Sequence, residues 1–185
     1  MAAEIRKNAE VLAQNVKLIV FDVDGVMTDG GLHYDGEGRI TKRYHVLDGV
    51  GLRLLRDGGI EVAVVTAGQD GPCVEERMKR LKIDAFYEGN MSKQQALEDL
   101  RARFGLDWNE MAYIGDDWVD LIPLSMVGLP MSVPNARKEV KACAVYITEA
   151  EGGNGAVREV AEWILTCQGK FDAILAEWTT PVAHS

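Results

Sequence analysis

The sequence predicts an α/β fold, a doubly wound parallel sheet in one domain spanning residues 1–185. Short apolar runs alternate with helical periods along nearly the whole chain, which is typical of a parallel sheet with right-handed crossovers. The length of 185 residues suits one domain with a substantial core. A content of 47% hydrophobic and 26% charged residues is that of an ordinary globular protein.

Six short apolar runs are predicted as strands because polar or turn-forming residues bound each of them. They are residues 16–21, 60–66, 85–87, 111–114, 129–133 and 145–148. The segments with helical periodicity are 50–56, 73–81, 93–104, 118–126 and 156–166. Asp107 and Glu110 have the spacing of a capping box, which predicts the start of a helical turn.

Residues 31–44 interrupt this alternation. Two strand-like runs there flank the turn Asp35-Gly36-Glu37-Gly38, which predicts a β-hairpin insert. The hairpin follows the first strand, so we expect it beside the ligand-binding edge of the sheet. The chain has no room for a separate cap domain. An isolated hairpin is marginally stable in water, so we expect it to pack on something, such as another subunit. Residues 178–185 have no periodicity and are expected to form a flexible tail.

Composition excludes some classes of function. A net charge of -9 disfavours a nucleic-acid surface, which needs an excess of Lys and Arg. The longest N-terminal apolar stretch is too short for a signal core or a membrane span, so a cytoplasmic protein is expected. Cys73, Cys143 and Cys167 have neither metal-site nor disulfide spacing.

Polar residues that could take part in catalysis or bind a metal follow several predicted strands in a fixed order. They are Asp22 and Asp24, then Thr66, then Lys93 at the opening of a helix, then Gly115-Asp116-Asp117 with Asp120 one helical turn onward. Two carboxylates about 4 Å apart repel by roughly 4 kcal/mol at an effective dielectric near 20. A divalent cation relieves that repulsion, and ligation by oxygen alone suits Mg²⁺. The cluster therefore predicts a magnesium site.

The same residues suit phosphoryl transfer. That reaction needs positive charge on the phosphoryl oxygens and a nucleophile in line with the leaving group. Mg²⁺ and Lys93 can supply the charge, and a carboxylate can be the nucleophile. Thr66 offers a hydroxyl group and a backbone amide to the phosphate.

The motifs Phe21-Asp22-Val23-Asp24-Gly25-Val26 and Gly115-Asp116-Asp117, with Thr66 and Lys93 between them, resemble those of the haloacid-dehalogenase-like phosphatases. The resemblance covers nearly the whole chain. It implies that Asp22 attacks phosphorus and that Asp24 acts as general acid and then as general base. It also implies that Mg²⁺ is held by Asp22, the Asp24 carbonyl, Asp116 and waters.

The resemblance places four further residues beside the site, supporting it or contacting the substrate. They are Gly25, Ala67, Asp117 and Arg158. Two roles are open for Asp117: it is either an outer-sphere partner of the metal or the N-cap of a helix. Arg158 either pins a loop near the site or pairs with a neighbour on its own helix.

Residues 21–30, 48–52 and 152–159 resemble a capless branch of that superfamily. The branch implies a phosphorylated sugar acid as substrate, such as 3-deoxy-D-manno-octulosonate 8-phosphate or a nine-carbon relative, and a homotetramer with hairpins at its centre. Two positions depart from the branch, Leu47 and Ala67-Gly68-Gln69, where arginine is common. Because arginine suits a sugar-acid carboxylate, the identity of the sugar stays open.

Two rival functions are less favoured. A phosphomutase shares the phospho-aspartate but needs a cap, and only the hairpin lies between Asp24 and Thr66. A non-catalytic assembly module would have lost the nucleophile, the lysine or the metal-binding acid, and all of these are present. Hydrolysis of a phosphomonoester is therefore the expected function.

Overall fold

The computed structural model describes residues 2–68, 71–89 and 92–181, with side chains from residue 8 onwards. The strands are β1 (Leu18–Phe21), β2 (His33–Tyr34), β3 (Ile40–Thr41), β4 (Glu61–Val65), β5 (Ala85–Tyr87), β6 (Met111–Gly115), β7 (Leu129–Ser132) and β8 (Tyr146–Ile147). The helices are α1 (Ala2–Ala13), α2 (Val46–Asp57), α3 (Pro72–Leu81), α4 (Gln94–Phe104), α5 (Leu121–Met126), α6 (Lys138–Cys143), α7 (Ala156–Cys167) and α8 (Phe171–Thr179).

Six strands form one parallel sheet in the order β5-β4-β1-β6-β7-β8, as the alternating pattern predicts. The central strand β1 is completely buried, because helices cover both faces of the sheet. Phe21 at its end pairs with Val64 of β4 and Ile114 of β6. The residues that follow these three strands therefore lie side by side at one edge.

The helices pack in two groups. α7 packs against α1, α2 and α8, and α5 packs against α4 and α6. The contact between α2 and α7 is close because Gly51 has no side chain; a Cβ there would lie 2.8 Å from the Arg158 Cα. Asp48 of α2 also accepts a hydrogen bond from the Arg158 amide at 3.1 Å, which caps the start of α7. This pairing holds the loop before α7 in a fixed position.

The predicted hairpin is confirmed. β2 and β3 are antiparallel, with His33 opposite Thr41, and Asp35 Oδ1 closes the turn by accepting the amides of Glu37 and Arg39 at 2.9 Å each. A bridge between Thr28 and Tyr44 joins the hairpin to the loop after β1. The described chain between Asp24 and Thr66 holds this hairpin, α2 and β4, and no cap domain.

The structure differs from the sequence prediction at two helices and at the C-terminal tail. The capping box at Asp107 and Glu110 is confirmed, but α6 and α8 were not predicted. Trp178, expected to open a flexible tail, lies in the last turn of α8 and donates a hydrogen bond from Nε1 to Asp57 at 3.0 Å. Residues 182–185 of that tail lie outside the described residues. Within the described ranges, every helix is too short or too polar to cross a bilayer.

Candidate active site

Asp22 lies at the centre of the carboxyl edge of the sheet. Its amide donates to the Ile114 carbonyl at 3.1 Å, which continues the pairing of β1 with β6. Its Oδ1 accepts the Val23 amide at 2.7 Å, and its Oδ2 lies 2.8 Å from the Lys93 ammonium. Only 5% of the residue is exposed. Burial and the neighbouring Asp120 carboxylate raise the pKa of Asp22 well above its usual range, and Lys93 partly offsets this.

Lys93 is completely buried and has left-handed backbone geometry, with φ of 50°. Its ammonium lies 2.7 Å from Asp120 Oδ1 and 3.2 Å from the Tyr113 hydroxyl. Burial opposes the charged form, but the Asp22 and Asp120 carboxylates outweigh it and raise the pKa of Lys93. Lys93 therefore stays charged, and in this structure its charge acts on the Asp22 carboxylate.

Asp120 orients the loop that carries Asp116. Its Oδ2 accepts the amides of Asp116 and Asp117 at 2.9 and 3.1 Å, while Oδ1 accepts the Tyr113 hydroxyl at 2.6 Å and the Lys93 ammonium. Both carboxylate oxygens of Asp120 are thus already hydrogen-bonded. The sequence analysis placed Asp120 one helical turn after Asp116 and Asp117 but assigned it no role.

Three carboxylates, those of Asp22, Asp116 and Asp120, offer oxygens that lie within 4.8 Å of one another. Burial, followed by the charges of Asp120 and Asp117, raises the pKa of Asp116 to about 7. Burial is the largest cause of this rise in pKa, and the neighbouring carboxylates add negative charge that a divalent cation would offset. An all-oxygen donor set of this kind fits Mg²⁺.

Gly25 is required by the close approach of Asp116. Its φ of 74° disfavours other residues, and a Cβ there would lie 2.1 Å from Asp116 Oδ2. The opposite side of Gly25 meets Gly152, where a Cβ would lie 1.8 Å from the Gly25 oxygen. Asn135 joins the two segments, because its Nδ2 donates to the Gly25 carbonyl at 2.8 Å and its Oδ1 accepts the Gly152 amide at 2.9 Å. The sequence analysis did not identify Asn135.

Asp22, Gly25 and Asp116 border a pocket of about 280 Å³ at the carboxyl edge of the sheet, whose described lining does not include Lys93 or Asp120. Its lining residues are Asp22, Asp24, Gly25, Gly30, Thr66, Ala67, Gly68, Asp116, Asp117 and Val119. Thr66 is buried, and its Oγ1 accepts the Gly68 amide at 3.2 Å, which leaves the hydroxyl hydrogen available to a ligand. A larger cavity of 670 Å³ lies beside Lys17 and Gly59, at the opposite edge, and contains none of the predicted site residues.

Asp24 borders the pocket from the loop after β1. Both of its carboxylate oxygens accept hydrogen bonds from Lys42 Nζ, at 2.7 and 2.6 Å. Lys42 belongs to the hairpin, and the sequence analysis did not connect it with the site.

The remaining predicted residues lie as follows. Asp117 Oδ1 accepts the Trp118 amide at 2.7 Å, so the N-cap alternative describes its contact in the structure. Arg158 pairs with Glu162 on α7 at 2.6 Å and is absent from the described lining of the pocket. Gln69 lies outside the described residues.

Comparison with known proteins identifies the family. Residues 76–160 match the family model of haloacid dehalogenase-like hydrolases. The chain is 41% identical to the 3-deoxy-D-manno-octulosonate 8-phosphate phosphatase of Haemophilus influenzae over 157 residues, which cover 85% of this chain and 87% of that protein. The corresponding protein of Escherichia coli K12 is 38% identical over 167 residues, 89% of this chain and 88% of that protein.

Solved structures agree. The 3-deoxy-D-manno-octulosonate 8-phosphate phosphatase of Moraxella catarrhalis, in complex with magnesium, phosphate and KDO, has a TM-score of 0.89 and 40% identity, covering 92% of this chain and 98% of that one. A cobalt-bound form of the Haemophilus influenzae enzyme has a TM-score of 0.84 and 40% identity, covering 88% and 94%. With the acidic site at the carboxyl edge of a parallel sheet and this similarity along most of its length, the chain belongs to the haloacid dehalogenase-like hydrolases, in the branch that contains these phosphatases.

Proposed function

We propose that this chain hydrolyses the phosphomonoester of a phosphorylated sugar acid through a phospho-aspartate on Asp22. The observation that carries the proposal is the position of Asp22, which borders the pocket while its carboxylate is held by the Val23 amide and the Lys93 ammonium. A fixed carboxylate at the end of the central strand, paired with a buried ammonium, is suited to in-line attack on phosphorus.

The roles of the chain's own residues follow from this arrangement. An Asp22 oxygen forms a bond to phosphorus as the bond from phosphorus to the sugar oxygen breaks, and Asp24 gives a proton to that oxygen. Asp24 then takes a proton from the water that attacks phosphorus, the bond between phosphorus and the Asp22 oxygen breaks, and inorganic phosphate leaves with the Asp22 carboxylate restored. Thr66 donates a hydrogen bond to the transferred phosphoryl group from the edge of the pocket.

Mg²⁺ is the cofactor that the donor set fits. Asp22, Asp116 and the main-chain carbonyl of Asp24 would hold it. Asp120 is less suited, because each of its oxygens accepts two protein hydrogen bonds, whereas each Asp22 oxygen has one described contact. When bound, the ion neutralises and orients the phosphoryl oxygens. The raised pKa of Asp116 supports this choice of ligand.

The substrate we propose is 3-deoxy-D-manno-octulosonate 8-phosphate, the compound for which the similar proteins are named. A screen of phosphate release should compare it with nine-carbon sugar-acid phosphates and hexose phosphates, with and without Mg²⁺. We expect the highest kcat/KM for the eight-carbon acid, loss of activity with EDTA and recovery with Mg²⁺. Preference for a nine-carbon acid would reassign the substrate, and no phosphate release from any phosphomonoester would contradict the proposed activity.

We propose further that the chain assembles as a homotetramer through the hairpin. Large apolar side chains are exposed on the hairpin and at the start of α2, with Tyr34 exposed by 64% and Val46 by 78%. Leu32 and Leu47 are exposed in the same two segments. We infer that these side chains are covered by neighbouring subunits, since exposed apolar patches mark protein interfaces, and closed symmetry is the usual result of such contacts.

A further inference from the structure

Lys42 makes an ion pair with Asp24 in which the lysine side chain is buried and the Asp24 side chain is 39% exposed. Its ammonium lies 2.7 Å from Asp24 Oδ1 and 2.6 Å from Oδ2, and none of its side chain is exposed. A buried ammonium needs a nearby counter-charge, because an unpaired charge away from water is very costly. The pair therefore differs from ordinary surface ion pairs, and its geometry is fixed on the lysine side by burial.

The hairpin arm that carries Lys42 is attached to the loop after β1 at several points in the same chain. Tyr44 forms a β-bridge with Thr28. Arg43 lies 2.9 Å from Asp29 Oδ2 and donates to the Asn154 side-chain oxygen at 2.8 Å. Lys42 is thus presented to Asp24 from a supported backbone.

We propose that Lys42 is a positioning residue, which holds the Asp24 carboxylate in the orientation that serves proton transfer at the leaving-group oxygen. The proposal rests on the function proposed above. During the reaction one Asp24 oxygen exchanges the proton with the leaving group and then with water, while the other keeps its contact with Lys42. If Lys42 is removed, the described side-chain contact that remains to the Asp24 carboxylate is the hydrogen bond from the Thr28 hydroxyl at 3.3 Å. A hydrogen bond of this length restrains the carboxylate only weakly.

The geometry also permits a purely mechanical role, in which Lys42 only anchors the hairpin. The two roles differ in their dependence on the leaving group. An alkyl leaving group, such as a sugar oxygen, needs protonation, whereas an aryl leaving group such as p-nitrophenolate does not. A positioning residue for the proton donor therefore affects the two substrates unequally, and a hairpin anchor affects them equally.

The test uses Lys42→Met, which keeps the aliphatic stem and removes the ammonium, and Lys42→Gln, which keeps a donor without the charge. Each is assayed with the preferred sugar phosphate and with p-nitrophenyl phosphate, after circular dichroism has verified folding. We expect kcat/KM, which reports the steps up to departure of the leaving group, to fall by about 10- to 100-fold on the sugar phosphate, since misplacement of a catalytic group by about 1 Å can cost 10²-fold. On the aryl phosphate we expect less than about a threefold fall in kcat/KM, because that leaving group needs no proton.

A double-mutant comparison completes the test. In the Asp24→Asn background, Lys42→Met should reduce kcat/KM on the sugar phosphate by no more than about twofold, because the residue it positions is already disabled. Equal losses of kcat/KM on both substrates, or additive losses with Asp24→Asn, would overturn the proposal.

The matched control is Arg39→Met, since Arg39 lies in the same hairpin and pairs with Asp35 and Glu37 on the surface. It should leave both activities within about twofold of the wild type. The proposed function is tested separately by the wild-type protein and Asp22→Asn on the aryl phosphate. If the wild type hydrolyses it and Asp22→Asn does not, a negative result for Lys42 bears on the positioning role alone.

Discussion

Lys93 Nζ lies 2.7 Å from Asp120 Oδ1, and neither side chain has any surface exposed to solvent. The other Asp120 oxygen accepts the amides of Asp116 and Asp117. One carboxylate therefore joins the lysine that pairs with Asp22 to the loop that carries Asp116. The stability of the fold and the geometry of the site depend on the same buried group.

Asp120→Asn should destabilise the protein. The substitution keeps the shape of the side chain but removes half of the negative charge that faces Lys93, and breaking a buried pair typically costs about 3 kcal/mol or more. We expect a fall in the free energy of unfolding of about 3 kcal/mol, measured by urea denaturation. Asp117→Asn makes the same chemical change at an exposed neighbour and should cost less than about 1 kcal/mol. Equal losses for the two variants would contradict a special role for the buried pair.

The raised pKa of Asp116 predicts how stability depends on pH when no metal is bound. Its pKa is 3.8 in the reference state and about 7 in the fold. Between these values the folded protein holds a proton that the unfolded chain has released, so the free energy of unfolding decreases as the pH rises. Asp22, whose pKa is also raised, acts in the same direction.

Mg²⁺ should reverse this dependence, because it binds the ionised carboxylates and competes with protons. We expect the rise in Tm caused by saturating MgCl₂ to be larger at a pH of about 8 than at about 5.5. Differential scanning fluorimetry in EDTA and in MgCl₂ gives the Tm without and with the metal at each pH. Asp116→Asn removes the titrating group and a ligand, so its Tm should respond weakly to Mg²⁺ at either pH. A shift in the wild type that is independent of pH would mean that Asp116 is not a ligand.

Much of the site could be predicted from the sequence because its residues directly follow strands. Asp22, Thr66 and Asp116 come at the ends of β1, β4 and β6, and adjacent parallel strands place their ends together. The contact between Lys42 and Asp24 could not be predicted this way. It depends on the direction in which the hairpin leaves the loop, and that direction is set by tertiary contacts rather than by local periodicity.

The helices α6 and α8 were missed for different reasons: the sequence of α6 has too little periodicity to predict a helix, whereas that of α8 has a clear helical periodicity. α6 has six residues, too few for a period of 3.6 to be recognised. In α8, however, Phe171, Ile174, Leu175 and Trp178 have the spacing i, i+3, i+4 and i+7, which is typical of an amphipathic helix. Treating Trp178 as the start of a tail hid this pattern.

Gly152→Ala should disturb the loop after β1. A Cβ at this position would lie 1.8 Å from the Gly25 oxygen, which belongs to the backbone and cannot rotate away. Overpacking of this kind costs about 1–3 kcal/mol. It also displaces Gly25, which follows Asp24 in the chain and lies against the Asp116 carboxylate. We expect a lower free energy of unfolding together with a higher Mg²⁺ concentration for half-maximal activity. Gly36→Ala is the control, because a Cβ there meets no atom within 4 Å; a similar effect of both substitutions would contradict the packing argument.

The last prediction concerns the assembly proposed above, which the exposed apolar residues of the hairpin and of α2 support. The double substitution Tyr34→Ser with Val46→Ser removes two of the most exposed of these side chains and leaves Lys42 in place. We expect light scattering to report an oligomer for the wild type and smaller species for the variant.

Val11→Ser is the matched control, since Val11 is exposed by 53% on α1, outside the hairpin and α2. It should keep the wild-type mass. The variant that dissociates should lose more activity on the sugar acid than on p-nitrophenyl phosphate, because in the proposed assembly neighbouring subunits would shield the open site from water and a large substrate would depend more on that shielding. A wild-type protein that is monomeric at micromolar concentration and fully active would refute the proposed homotetramer. The chemistry at Asp22 would be unaffected by that result, since the contacts that hold its carboxylate come from the same chain.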